Sequence, residues 1–193
     1  VTGGAGDFSL VNLPFSLLAL VAPVPPALRG AIGATGRYNF SGDAPLIQAE
    51  LALQNAFLAD EELSFDRGSV VVEPNALRLD LGLRAGASNE LITLKGLAPL
   101  NPSDQLDLVI ESHGDALESL AALGGDALKV KGGTTDLRLI IRGQLDQPLA
   151  NGFLVVKDGD LMLGEQPLRQ INASLLFDFC LLYTSPSPRD TRS

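Results

Sequence analysis

Leu77-Arg-Leu-Asp-Leu-Gly-Leu-Arg84 alternates leucine with a charged or small residue for eight positions without a break. Successive side chains of a β-strand point to opposite faces. The stretch therefore predicts a strand with Leu77, Leu79, Leu81 and Leu83 on one side and Arg78, Asp80, Gly82 and Arg84 on the other. The same rhythm returns three times. Leu106, Leu108 and Ile110 alternate with Asp107, Val109 and Glu111, and Leu137, Leu139 and Ile141 with Arg138, Ile140 and Arg142. Ile171, Ala173, Leu175 and Phe177 alternate with Asn172, Ser174, Leu176 and Asp178. Weaker versions run through Ile47–Leu53, Val70–Val72 and Leu154–Leu163. No charge falls on the apolar phase of the four clearest strands. A slip of one residue would invert each face, so the pattern specifies register strongly.

Turn-forming pairs punctuate these strands. Gly42-Asp43, Arg67-Gly68, Pro74-Asn75, Gly86 to Asn89, Asn101 to Asp104, Gly132-Gly133 and Asp158-Gly159 are each expected to separate two of them. One helix is expected at Ala116–Leu123, where Asp115 can cap, Glu118 sits at the capping-box position and Gly124-Gly125 ends the run. Phe40-Ser-Gly-Asp-Ala-Pro45 resembles Ile141-Arg-Gly-Gln-Leu-Asp-Gln-Pro148. Each is followed by an apolar strand and then by Asn55-Ala56 or Asp158-Gly159, which points to a repeated β unit stacked along an axis.

The last fourteen residues do not share this grammar. Within Cys180–Ser193, the string CLLYTSPSPRD reads as the translated end of a transposon-based sequencing adapter, so residues 180–193 are expected to be a non-native, disordered tail. Residues 1–179 lack a starting Met and read as an internal fragment of a longer, elongated β domain, with no domain boundary inside them. The only cysteine belongs to the tail, so the remainder offers neither a disulfide framework nor a thiolate metal site.

The 193 residues carry a formal charge of −9, with no Lys/Arg stripe to neutralise phosphates, which argues against a nucleic-acid partner. The apolar run Phe15–Ala22 is closed by Pro23, Pro25 and Pro26. It is far short of the roughly 20 residues a spanning helix needs, and a short buried or interfacial helical turn is expected there. Reaction chemistry finds no convergent set of groups. Ser112, His113 and Asp115 adjoin in sequence, but triads are assembled through space, and these residues mark a strand–helix junction. Asp60, Glu61 and Glu62 lack the spacing and glycine of a calcium loop. Gly3-Gly4 and Gly124-Gly125 lack the context of a phosphate cradle. No enzyme activity, cofactor or metal is expected.

At the level of motif, the chain resembles the TamB branch of the AsmA-like family (the translocation and assembly module), in a form reminiscent of cyanobacteria. The resemblance is carried by Gly143-Gln-Leu-Asp-Gln-Pro148, by Gly152-Phe-Leu-Val-Val-Lys-Asp-Gly159 and by Leu168–Phe177, in that order. Gly30–Pro45 and Leu106–Leu123 fit the same rhythm. It implies an all-β fold with one or two short helices: a curved, elongated, β-taco-like groove with an apolar interior. It also implies a protein of the bacterial periplasm, anchored in the inner membrane, that carries phospholipid to the outer membrane. Partners implied are phospholipid acyl chains, the inner membrane through an anchor outside this segment, and an outer-membrane barrel of the Omp85 type. The residues expected to line the groove are Leu77, Leu79, Leu81, Leu83, Leu106, Leu108, Ile110, Leu137, Leu139, Ile141, Leu175 and Phe177. An alternative is a scaffold for outer-membrane protein assembly or secretion, which would offer sheet edges to client strands. A third is a purely structural β-repeat.

Overall fold

The computed structural model describes residues 3–18, 27–41, 45–58, 60–85, 91–115 and 128–181. They form one antiparallel sheet of ten strands: β1 (Ala5–Pro14), β2 (Leu28–Asn39), β3 (Leu46–Leu58), β4 (Glu61–Val72), β5 (Ala76–Ala85), β6 (Leu91–Pro99), β7 (Gln105–Gly114), β8 (Leu128–Gln144), β9 (Gln147–Leu163) and β10 (Gln166–Leu181). Strand order in space equals strand order in the chain, from β1 at one edge to β10 at the other. The sheet is not closed. A single helical turn, α1 (Phe15–Leu18), follows β1. The alternating stretches thus become strands, and the fold is all-β. The helix expected at Ala116–Leu123 lies outside the described residues.

Pro74-Asn75 and Asn101–Asp104 make turns as expected, the second with Asp104 N–H donating to the Asn101 carbonyl at 3.0 Å. Three other turn signals do not separate strands. Arg67-Gly68 lies inside β4, Gly132-Gly133 inside β8 and Asp158-Gly159 inside β9. Each sits at or beside a shift in strand register. The chemistry that favours turns, a small or short polar residue tolerant of positive φ, also favours the extra residue of a β-bulge. Asn12, Asn55, Asp158 and Gln170 all have φ between 46° and 57°.

These bulges have a common purpose. Ile32 faces Leu53 across β2 and β3, yet Ala56 and Leu58, at odd spacing from Leu53, are also buried. The extra residue at Asn55 resets the alternation and keeps the later apolar side chains on the same face. Three of the four bulged N–H groups are taken up by a side chain of another strand. Asn12 donates to Gln54 Oε1, Asp158 to Asn172 Oδ1 and Gln170 to Asp160 Oδ1, each at 3.1 Å.

The four positive-φ bulges at Asn12, Asn55, Asp158 and Gln170 lie towards the end of the sheet where β1, β3 and β9 finish and β2, β8 and β10 begin, while a further shift, between Phe177 and Cys180, lies near the other end. Because a bulge bends its strand and increases local twist, such a line curls the sheet across its width. At this end α1 seats Phe15 among the buried Ala56, Leu58, Leu63 and Ala85.

The suspected repeat has a structural counterpart. Asn55 follows Pro45 by ten residues, and Asp158 follows Pro148 by ten. Gly30 and Gly133, both at positive φ, precede the same prolines by fifteen. The hairpins β2–β3 and β8–β9 therefore share these two backbone features at the same spacing from a proline.

Candidate functional site

Residues directly opposite one another in an antiparallel sheet share a face, so the register shows which side chains line up. One row crosses from β1 to β9 as Phe8, Gly36, Ala49, Val70, Leu79, Gly96, Leu108, Ile141 and Ala150. A second runs Gly68, Leu81, Leu94, Ile110, Leu139, Gly152 and Phe177. A third runs Leu83, Ile92, Ser112, Leu137, Leu154 and Leu175. Leu77 joins Val72 and Ala98, and Leu106 pairs with Gly143. Every residue expected to line the groove thus lies on one face. In these rows no position is occupied by Asp, Glu, Lys, Arg or His.

A flat sheet with nothing against it would leave such a face open to water. Instead, Leu106, Leu137 and Ala150 are 7%, 6% and 1% exposed, and most other row residues of β4–β9 are half-buried. The shielding fades at the last strand, where Leu175 is 55% exposed.

The opposite face is polar and ion-paired. Arg78 meets Glu73 at 2.9 Å, Arg84 meets Asp66 at 3.1 Å and Arg138 meets Glu111 at 3.3 Å. Asp80 lies between Arg67 (3.6 Å) and Lys95 (3.9 Å). His113 Nδ1 is 2.7 Å from Asp136 Oδ1. This pair borders a cavity of about 260 Å³ on that face, with Thr134, Val155 and Lys157. A second cavity, of about 520 Å³, lies against β1–β3 beside Asp7, Arg37, Tyr38 and Gln48.

Ser112 and His113 leave β7 on opposite faces. Ser112 is 1% exposed and turned to the apolar side, while His113 is exposed on the polar side. Their adjacency in sequence does not make a nucleophile–base pair. Among the described residues there is no group of three or more His, Cys, Asp or Glu that could hold a metal ion. No helix there is long and apolar enough to cross a membrane.

The sequence reading missed Ile92 and Leu94 on β6, because Leu97 falls on the polar phase and blurs the alternation. It also missed Phe8, since β1 carries a bulge after Leu10. A face built this way can remove alkyl groups from water. Compared with protein-family models, curated proteins and solved structures, the chain finds no match in any of the three.

Proposed function

We propose that the apolar face is a trough that holds phospholipid acyl chains, one stretch of a longer lipid path between the two membranes of a bacterial envelope. The observation that carries this reading is the charge-free row from Phe8 to Ala150, which offers alkyl chains an unbroken surface across the sheet. Each methylene moved out of water gains about 0.8 kcal/mol, whereas an unpaired charge on the path is costly. The motif resemblance to TamB supports the same reading, with its periplasmic setting, inner-membrane anchor and outer-membrane barrel partner. The test is photo-crosslinking in membranes, with a photoreactive residue at Leu81 or Leu139 and, separately, at Arg78 or Arg138. Lipid adducts from the leucine positions alone are expected. Equal labelling from both faces, or none from either with the fold intact, would overturn the trough.

A second reading, a scaffold for outer-membrane protein assembly, is favoured by one observation: among the described residues β10 is a long strand at the edge of the sheet. Main-chain pairing at such an edge supplies affinity for an extended client.

A further inference from the structure

Among the described residues two polar side chains are buried, Ser112 and Thr135, at 1% and 4% exposure. Both stand on the apolar face. Ser112 lies in the third row between Ile92 of β6 and Leu137 of β8, and Thr135 faces Gly114, two residues further along β7. They differ in what they bond. Thr135 Oγ1 donates to the Gly114 carbonyl at 3.4 Å, whereas Ser112 Oγ has no hydrogen-bond partner among the described residues.

Buried polar groups are as a rule hydrogen-bonded. A hydroxyl carries one donor and two acceptor sites, and leaving them unmade away from water forfeits stability. Alanine would fill the same place without that loss. Ser112 is also the one polar side chain in the three apolar rows. Nothing in the packing of the sheet calls for a hydroxyl there, so its use lies with what the face holds.

We propose that Ser112 anchors the ester carbonyl of an acyl chain lying on the apolar face, with its hydroxyl donating to the carbonyl oxygen. This rests on the trough reading and adds to it a class of lipid, acyl esters in preference to ether-linked chains. Three features select that group. An ester carbonyl oxygen accepts hydrogen bonds, and Ser112 has a donor to give. The ester is uncharged, so it enters the apolar rows without the penalty that an ionised carboxylate meets beside one hydroxyl and no cation. It also carries its alkyl chain directly. The chain continues over Ile110 and Leu139, while the polar remainder of the lipid leaves past Gly114, where β7 ends. Out of water the bond is electrostatically stronger than at a wet surface.

The experiment compares two short-chain phosphatidylcholines of equal chain length, one diacyl and one dialkyl ether, on the whole chain. Binding is measured by isothermal titration calorimetry below the concentration at which either lipid forms micelles. The ratio of diacyl to dialkyl affinity is expected to fall about two- to tenfold in Ser112→Ala, which is what one neutral hydrogen bond supplies. The urea midpoint of Ser112→Ala is expected to be unchanged or raised, since the substitution removes an unbonded hydroxyl. An isotope-labelled ester carbonyl should move its infrared band to lower frequency on binding the wild-type chain and not on binding Ser112→Ala. An affinity ratio that the substitution leaves unchanged, or a carbonyl band that does not move, overturns the ester anchor and leaves the trough standing. A large loss of stability in Ser112→Ala overturns it too, because the hydroxyl would then serve the fold. Binding of neither lipid overturns the anchor and the trough together.

Discussion

Arg142 Nε donates to Asp107 Oδ1 over 3.1 Å across β7 and β8, while the adjoining pair, Ile141 opposite Leu108, lies on the other face of the same two strands. One step along each strand changes an ion pair into an apolar contact. The two faces therefore answer to different physics.

On the polar face that means little stability per pair. The Arg142 and Asp107 side chains are 67% and 56% exposed, so solvent screens them. A double-mutant cycle with Asp107→Asn and Arg142→Gln should give a coupling of less than about 1 kcal/mol, and less again at high salt. Urea unfolding of the four proteins measures it.

On the apolar face the cost follows burial. Leu137, 6% exposed, should lose roughly 2–5 kcal/mol on substitution by alanine. Leu176, 80% exposed, should lose less than about 0.5 kcal/mol. The same denaturation experiment ranks them, and a reversed order would mean the sheet does not curl as described.

Two backbone positions should be intolerant for a local reason. Gly152 has φ 146°, and a Cβ there would run into the carbonyl oxygen of Arg138. Gly152→Ala is expected to lower the melting temperature measurably even though it adds only a methyl group. At Asn55, with φ 46°, Asn55→Val should destabilise by about 1–2 kcal/mol, while Asn55→Gly should be nearly neutral. Thermal melts followed by circular dichroism distinguish the two.

If the trough holds lipid as proposed, a charge placed in it should remove that lipid. Leu139→Arg is expected to abolish co-purifying phospholipid, and Arg138→Leu, one residue away on the polar face, to leave it unchanged. Mass spectrometry of the extracted lipid reports the ratio.

The tail can be tested by length. β10 continues through Cys180 and Leu181, opposite Ala150 and Leu149, two residues beyond the boundary expected from sequence. Truncation after Leu181 should leave the urea midpoint unchanged. Truncation after Phe179 removes two ladder pairs and should lower it slightly. A large loss from the first truncation would show that the last twelve residues support the fold.

How much of this was legible beforehand depended on the regularity of each strand. The Leu77–Leu83 and Leu137–Ile141 strands announced both their type and their face, since leucine and charge alternate there without interruption. β6 did not, because Leu97 occupies the polar phase. The bulges were read as turns at Gly132-Gly133 and Asp158-Gly159. Residues that tolerate positive φ serve both structures, and only pairing with a neighbouring strand tells them apart. The Asn55 and Asp158 equivalence was visible as a faint repeat, but its meaning came from matching dihedral angles and matching distances from a proline. The exposure of Leu175 and Leu176 carries no mark in sequence at all, since it depends on the place of β10 in the sheet and not on local composition.

The order β1 to β10, with no crossover anywhere, also shapes how the molecule comes into being. Most pairings close only a short connection, so loop entropy stays small and contact order low for a β protein. Strands can add one after another as the chain is released, each finished edge serving as the template for the next. Within this stretch no strand has to wait for a distant partner segment.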